Sequence, residues 1–197
     1  YYQVSRFVKD PTRDTQIQSD CDKASALLKE IKRRTKAKTA TLLTGNHESR
    51  VSKFLFSQAK ALATVRALKL ENLLSLNDAG WQLIPEHEFY AIGPVHFTHG
   101  EYVASNSAPK HMNRYGETII HGHDHKIACA MHKYLNKTIE EWSVGCLSSL
   151  EVSQDYVKAA NWQHGFATVE ICNNDYWINT YHIRNGKVSF AGKIIEG

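Results

Sequence analysis

The sequence lacks paired cysteines, long apolar runs and a strong charge imbalance, and each absence excludes a class of protein. Its four cysteines include no C-x-x-C pair, which argues against a zinc ribbon or a secreted disulfide framework and favours a reducing compartment, the cytoplasm. No run approaches the roughly 18 apolar residues of a membrane-spanning helix, so we expect no membrane partner. The formal net charge of +4 is far below that of an arginine-rich nucleic-acid tail.

Linkers and repeats are absent as well. No Gly/Ser-rich or Pro-rich stretch divides the 197 residues, and nothing repeats at a fixed period. The length fits one domain, and 42% hydrophobic residues suffice for a sizeable core. We therefore expect residues 1–197 to form a single domain.

Helical patterns lie early in the chain and strand patterns lie late. Apolar residues at three- and four-residue spacing predict an amphipathic helix over residues 15–36, and a broken helical stretch is expected over 49–76. The Asn185-Gly186 pair predicts a hairpin turn. This order of elements favours a layered α/β sandwich. Short strands are predicted at 39–44, 81–84, 88–92, 95–98, 117–120, 127–131, 139–144, 166–171, 176–183 and 188–190.

The number of histidines, eleven, is unusual, and seven of them fall between residues 96 and 132. Three predicted strands each end beside a glycine and a group that can bind a cation or move a proton. These junctions are Gly45-Asn46-His47-Glu48, His99-Gly100 and Gly122-His123-Asp124-His125. Proteins of the α/β class place ligands at the C-terminal ends of strands, and imidazole binds zinc, manganese, iron and nickel.

Each junction taken alone has an ordinary explanation. The G-N-H-E segment is also typical of a turn before a helix, with Glu48 in the first helical turn, and a lone histidine is usually structural. Three such junctions in one chain favour a common metal site over three unrelated turns.

The motifs G-N-H-E, H-G and G-H-x-H, in this order over residues 45–125, resemble those of the calcineurin-like metallophosphoesterase superfamily, of the phage and bacterial type. The resemblance implies a layered α/β/β/α sandwich. It also implies that His121, which has no counterpart among the family's ligands, is a strand-end residue. By the same resemblance His47 is the catalytic histidine beside the leaving group, and the metal ligands are Asn46, His99, His123 and His125.

The activity implied by the resemblance is hydrolysis of a phosphomonoester or phosphodiester by a metal-bridged hydroxide, with a nucleotide or a nucleic acid among the candidate substrates. Two divalent transition metals, manganese, iron, nickel or zinc, share the attacking water in such a site. Residues 101–115 are expected to form a long loop over the metals, in which His111 or Arg114 contacts the substrate.

Two further motifs of the family, D-x-H and G-D, are absent here. No histidine precedes His47, and no glycine precedes Gly45. One metal thus keeps Asn46 and two histidines, whereas the other keeps only His125, so we expect this chain to hold at most one metal well. Since the chain does not begin with Met, we expect an N-terminally truncated enzyme that lacks its first strands. The alternative is a non-catalytic metal-binding or interaction module with the same fold.

Overall fold

Helices dominate the early part of the chain and strands the later part, as the sequence pattern predicts. The computed structural model describes residues 2–6, 16–103, 107–150 and 161–197, and the fold there is mixed α/β. Contacts divide the chain into two compact units, Tyr1–Glu86 and His87–Gly197. None of the described helices is both long and apolar enough to cross a membrane.

Helix α1 (Ile17–Thr35) is the main element of the first unit, close to the range predicted for it. It ends at Lys36, whose backbone is left-handed with a φ of 53° and whose N–H donates to the carbonyl of Lys32. Its buried face carries Cys21, which packs against a cluster of leucines. The rest of the expected helical stretch is broken into α2 (Ser49–Gln58), α3 (Leu70–Leu73), α4 (Leu76–Ala79) and the 3-10 turns Lys60–Leu62 and Arg66–Leu68.

Two short parallel strands lead the first unit to the G-N-H-E segment. Strand β1 (Thr41–Leu43) pairs with β2 (Gln82–Ile84), and the N–H of Thr44 continues the ladder by donating to the Ile84 carbonyl at 2.9 Å. The chain then turns through residues 45–48 and enters α2 at Ser49. The ordinary turn before a helix is therefore present at this junction.

A five-stranded mixed sheet forms the centre of the second unit. Its strands, each close to a range predicted from the sequence, are β3 (Tyr90–Ile92), β4 (Val95–Thr98), β5 (Thr118–His121), β6 (Ile127–Lys133) and β7 (Thr138–Val144). Their order in the sheet is β3-β4-β5-β7-β6, with parallel pairing between β4 and β5 and between β5 and β7. The two edge strands, β3 and β6, pair antiparallel with their neighbours.

The chain ends in two antiparallel hairpins. Arg184 and Lys187 exchange two backbone hydrogen bonds of 2.8 and 2.9 Å across Asn185 and Gly186, which both have positive φ. This confirms the turn predicted for the Asn-Gly pair. The last strand was not predicted. The hairpins are built from β8 (His164–Cys172), β9 (Asp175–Ile183), β10 (Lys187–Phe190) and β11 (Lys193–Glu196).

The prediction of a long loop over residues 101–115 is wrong for most of this range. Residues 107–115 form helix α5 (Ser107–Tyr115), and residues 104–106 lie outside the described residues. Pro109 stands in the first helical turn, where its missing N–H costs nothing. Ala108, His111 and Met112 recur at three- and four-residue spacing and are buried, so the helix covers an apolar stripe rather than spanning open space.

Candidate metal centre

His99 and His123 meet where two parallel strands end. Strand β4 ends at Thr98, which lies opposite His121 in the register, and each strand is followed by its histidine loop. The Nε2 atom of His99 lies 3.0 Å from the Nδ1 atom of His123, and the N–H of Gly122 donates to the His99 carbonyl at 3.2 Å. Of the four residues expected to converge, Asn46, His99, His123 and His125, the contact joins His99 and His123, and His121 ends its strand as predicted.

Gly100 allows the two loops to approach this closely. Its φ is +99°, a conformation that L side chains rarely adopt, and an added Cβ would lie 2.9 Å from the Nδ1 atom of His121. The glycine of the H-G motif is therefore required by a close contact as well as by its backbone angle.

His125 lies in the same loop, two residues beyond His123. Both residues have positive φ, 61° for His123 and 59° for His125, so the loop holds two strained histidines in succession around Asp124. The ring of His125 makes an edge contact with Trp162 at 4.4 Å. Its Nδ1 atom is buried and has no hydrogen-bond partner among the described residues, so that nitrogen is available to a ligand.

Burial favours the neutral form of the two loop histidines. It lowers the pKa of His123 below the usual histidine value, and the neighbouring His125 lowers that pKa further, against the opposing effect of Asp124. Burial also lowers the pKa of His125, again opposed by Asp124. A neutral imidazole keeps a lone pair on one ring nitrogen, which is the form that binds a metal ion.

The carboxylate of Asp124 holds the G-H-x-H loop in place. Asp124 is buried and accepts a hydrogen bond from the hydroxyl of Ser107 on α5 at 2.6 Å and another from the hydroxyl of Ser143 on β7. The backbone N–H of Lys126 donates to the same carboxylate at 3.2 Å. A helix, a strand and the loop itself thus fix the residue that stands between the two histidines.

Below the loops, a second group of ionisable side chains is completely buried. The Oε1 atom of Glu141 lies 2.8 Å from Nε2 of His121 and 3.2 Å from Nδ1 of His111, and all three side chains have no exposed surface. Neither oxygen of Glu141 receives a hydrogen bond of good geometry from the described residues, although Oε1 lies within 3.2 Å of both histidine rings.

Three of the four ring nitrogens of the two histidines contact other partners, and the fourth, Nε2 of His121, faces Glu141. The Nε2 atom of His111 accepts the backbone N–H of Glu101 at 2.9 Å, and its Nδ1 atom donates to the Ser107 carbonyl at 3.1 Å. The Nδ1 atom of His121 donates to the Gly122 carbonyl at 2.8 Å. Because His111 directs no lone pair toward Glu141, we assign the three residues as a buried structural group rather than as a metal site.

The predicted substrate contacts in α5 need correction. His111 has no exposed surface and takes part in the buried group, so it is not placed to contact a substrate. Arg114 is half-exposed and pairs with Glu101, Nη1 to Oε2 at 2.9 Å, while it donates to the hydroxyl of Tyr102 at 3.1 Å. The substrate role of Arg114 stays a prediction.

Asn46 and His47 belong to the first unit. Asn46 is half-buried and His47 exposed, in the turn between β1 and α2. The Glu48 carboxylate accepts the N–H of Gly45 at 3.1 Å, and the N–H of Ser49 donates to the Gly45 carbonyl at 3.1 Å. Their roles as metal ligand and catalytic histidine stay predictions from the sequence.

Glu141 and Asp124 are the residues that sequence reasoning missed. A signal for Glu141 was present, because Ile139, Glu141 and Ser143 alternate along β7 on its buried face. A charged residue at an inward position of a strand indicates a buried partner, although the sequence does not say which one.

Comparisons with known proteins give relatives without a named activity. No family model matches the chain. Over 167 residues the chain is 30% identical to the Gene 54 protein of Mycobacterium phage D29, and it is equally similar to the Gene 54 protein of Mycobacterium phage L5. The alignment covers 77% of this chain and 64% of each relative, so the chain spans just under two thirds of the length of these relatives.

The buried group yields a prediction about stability. We expect Glu141→Gln to lower the free energy of unfolding by about 2–3 kcal/mol, because the amide leaves a polar atom without a partner in a fully buried site. Glu140→Gln is the matched control. Glu140 is half-buried on the other face of β7 and accepts only the indole N–H of Trp142 at 2.8 Å, so its loss should stay near 1 kcal/mol, roughly one hydrogen bond. Urea unfolding measures both, and equal losses would contradict the assignment.

Proposed function

We propose that the protein is a metal-dependent phosphoesterase, which hydrolyses a phosphomonoester or a phosphodiester. The observation that carries the proposal is the convergence of His99 and His123 at 3.0 Å, at two of the positions where the family resemblance implies metal ligands. The finer fold, a layered α/β/β/α sandwich, and the use of two divalent metals in the complete protein belong to the same proposal.

The donor atoms around His99 and His123 suit a divalent transition metal. Two nitrogens bound at right angles to one ion, each about 2.0–2.1 Å from it, lie about 2.9 Å apart. The observed separation of 3.0 Å is close to this value, and it also fits a hydrogen bond between two neutral rings. His125, the predicted ligand of the other metal, has a buried nitrogen without a partner among the described residues. Asn46 remains a ligand predicted from the sequence.

Different residues have different roles in the proposed reaction. A bound divalent cation supplies charge neutralisation for phosphoryl oxygens and lowers the pKa of water. His99 and His123 are imidazole donors for one such cation and His125 for the other, and hydrogen bonds to Asp124 hold the loop that carries His123 and His125. His47, exposed at the turn before α2, donates a proton to the departing alkoxide in this proposal.

A non-catalytic metal-binding module with the same fold is the competing function. In such a module the histidine site binds an ion without turnover. The two functions share the histidine site and differ in turnover, so metal binding and catalysis are tested separately.

The metal site is tested by His123→Ala. We expect the wild-type chain to retain at most one transition metal ion, and the variant to lose most of it, because one of two convergent nitrogens is removed. Elemental analysis after dialysis against manganese or zinc measures the content. His132→Ala, an exposed histidine on β6, is the control and should leave the stoichiometry unchanged. Unchanged metal content in His123→Ala would remove His123 from the site.

The catalytic role is tested by His47→Ala in the full-length protein with manganese added. We expect turnover to fall by about 10²–10⁴-fold on an alkyl phosphoester, the usual contribution of a general acid, while the metal content stays the same. The loss should be smaller on a 4-nitrophenyl ester, whose leaving group needs no proton. Equal losses on both esters would contradict the proton-donor role, and loss of metal would make His47 a ligand.

A further inference from the structure

A cavity of about 600 Å³ lies in the described part of the first unit, next to the G-N-H-E turn. One wall is a single face of helix α2, on which Arg50, Lys53 and Phe54 recur at three- and four-residue spacing. Arg6 and Asn46 also line the cavity. A volume of this size is that of a small-molecule site rather than of a single inorganic ion.

All the charged residues in the described lining of the cavity are basic. Arg6, Arg50 and Lys53 line it, and none of its described lining residues is acidic. Lys53 is already engaged, since its Nζ atom lies 2.9 Å from both the Ser49 hydroxyl and Glu86. Arg50 is half-buried, and in the described ranges its guanidinium has no acidic partner. A partly desolvated guanidinium of this kind favours an anion with several oxygens.

The aromatic side chain adds a second kind of contact. Phe54 lies one residue beyond Lys53 and lines the cavity. Its surface is 39% exposed. An exposed aromatic face beside cations is the combination that binds a planar base next to its phosphate. The cavity therefore offers a ring contact as well as anion contacts.

We propose that this cavity binds a nucleotide, with Arg50 at the phosphate and Phe54 against the base. The inference rests on the proposed function, because Asn46, the metal ligand predicted from the sequence, lines the same cavity as Arg50. It narrows the substrate class from phosphoesters in general to those that carry a nucleobase.

Binding of adenosine 5′-monophosphate, measured by calorimetry with a chelator present so that no turnover occurs, tests the inference. Arg50→Gln should weaken binding by about 10-fold or more, and Phe54→Leu by about 5-fold or more. The matched controls are Arg66→Gln and Phe56→Leu, which alter exposed residues outside the cavity, Phe56 on the same helix, and should leave binding unchanged. Thermal melting confirms that each variant is folded.

Three results would overturn the nucleotide site: no saturable binding, equal effects of a variant and its control, or ribose 5-phosphate binding as tightly as the nucleotide. The assay does not depend on catalysis, so the two proposals fail separately. Nucleotide binding without hydrolysis of any phosphoester in added manganese would refute the phosphoesterase and keep the site. If the protein hydrolyses a phosphoester equally well with either cavity variant and does not bind the nucleotide, the nucleotide site is refuted and the phosphoesterase is kept.

Discussion

The parallel pairing of β4 with β5 is the constraint on which the candidate metal centre depends. Because Thr98 lies opposite His121, both strands end at one level and both histidine loops start from the same sheet edge. A slip of one residue in this register would turn the side chains of β5 to the opposite faces and separate His99 from His123. Hydrophobic burial resists such a slip, since all four residues of β5 are buried.

Two buried carboxylates tie the surrounding elements to these loops. Asp124 links the G-H-x-H loop to α5 and β7 through two serine hydroxyls, and Glu141 lies against the ring of the histidine that ends β5. A charge without water must be matched by its neighbours, so each carboxylate restricts which arrangements of helix, strand and loop are tolerated. Polar contacts beneath the loops therefore hold the half-buried loop histidines His99, His123 and His125. Metal ligands in proteins are commonly held in the same way, by groups that contact them from behind.

Local patterns in the sequence were enough for the strands and for the histidine pair, because period two and the glycine junctions are properties of short segments. They were not enough for α5, because the helical spacing of Ala108, His111 and Met112 extends over a helix of only 9 residues. Glu141 meets His111 only through strand pairing and helix packing, which no short window of sequence contains. The division into two compact units was likewise not visible, because no change of composition marks residue 86.

The central claim is that His99 and His123 bind one ion through particular ring nitrogens. Cadmium-113 is a spectroscopic substitute for zinc and manganese, and its scalar couplings to ¹⁵N-labelled imidazole identify the bound nitrogen of each histidine. We predict couplings from one cadmium ion to Nε2 of His99 and to Nδ1 of His123, the two atoms that face each other. Couplings confined to other histidines, or to the opposite nitrogens of these two rings, would contradict it.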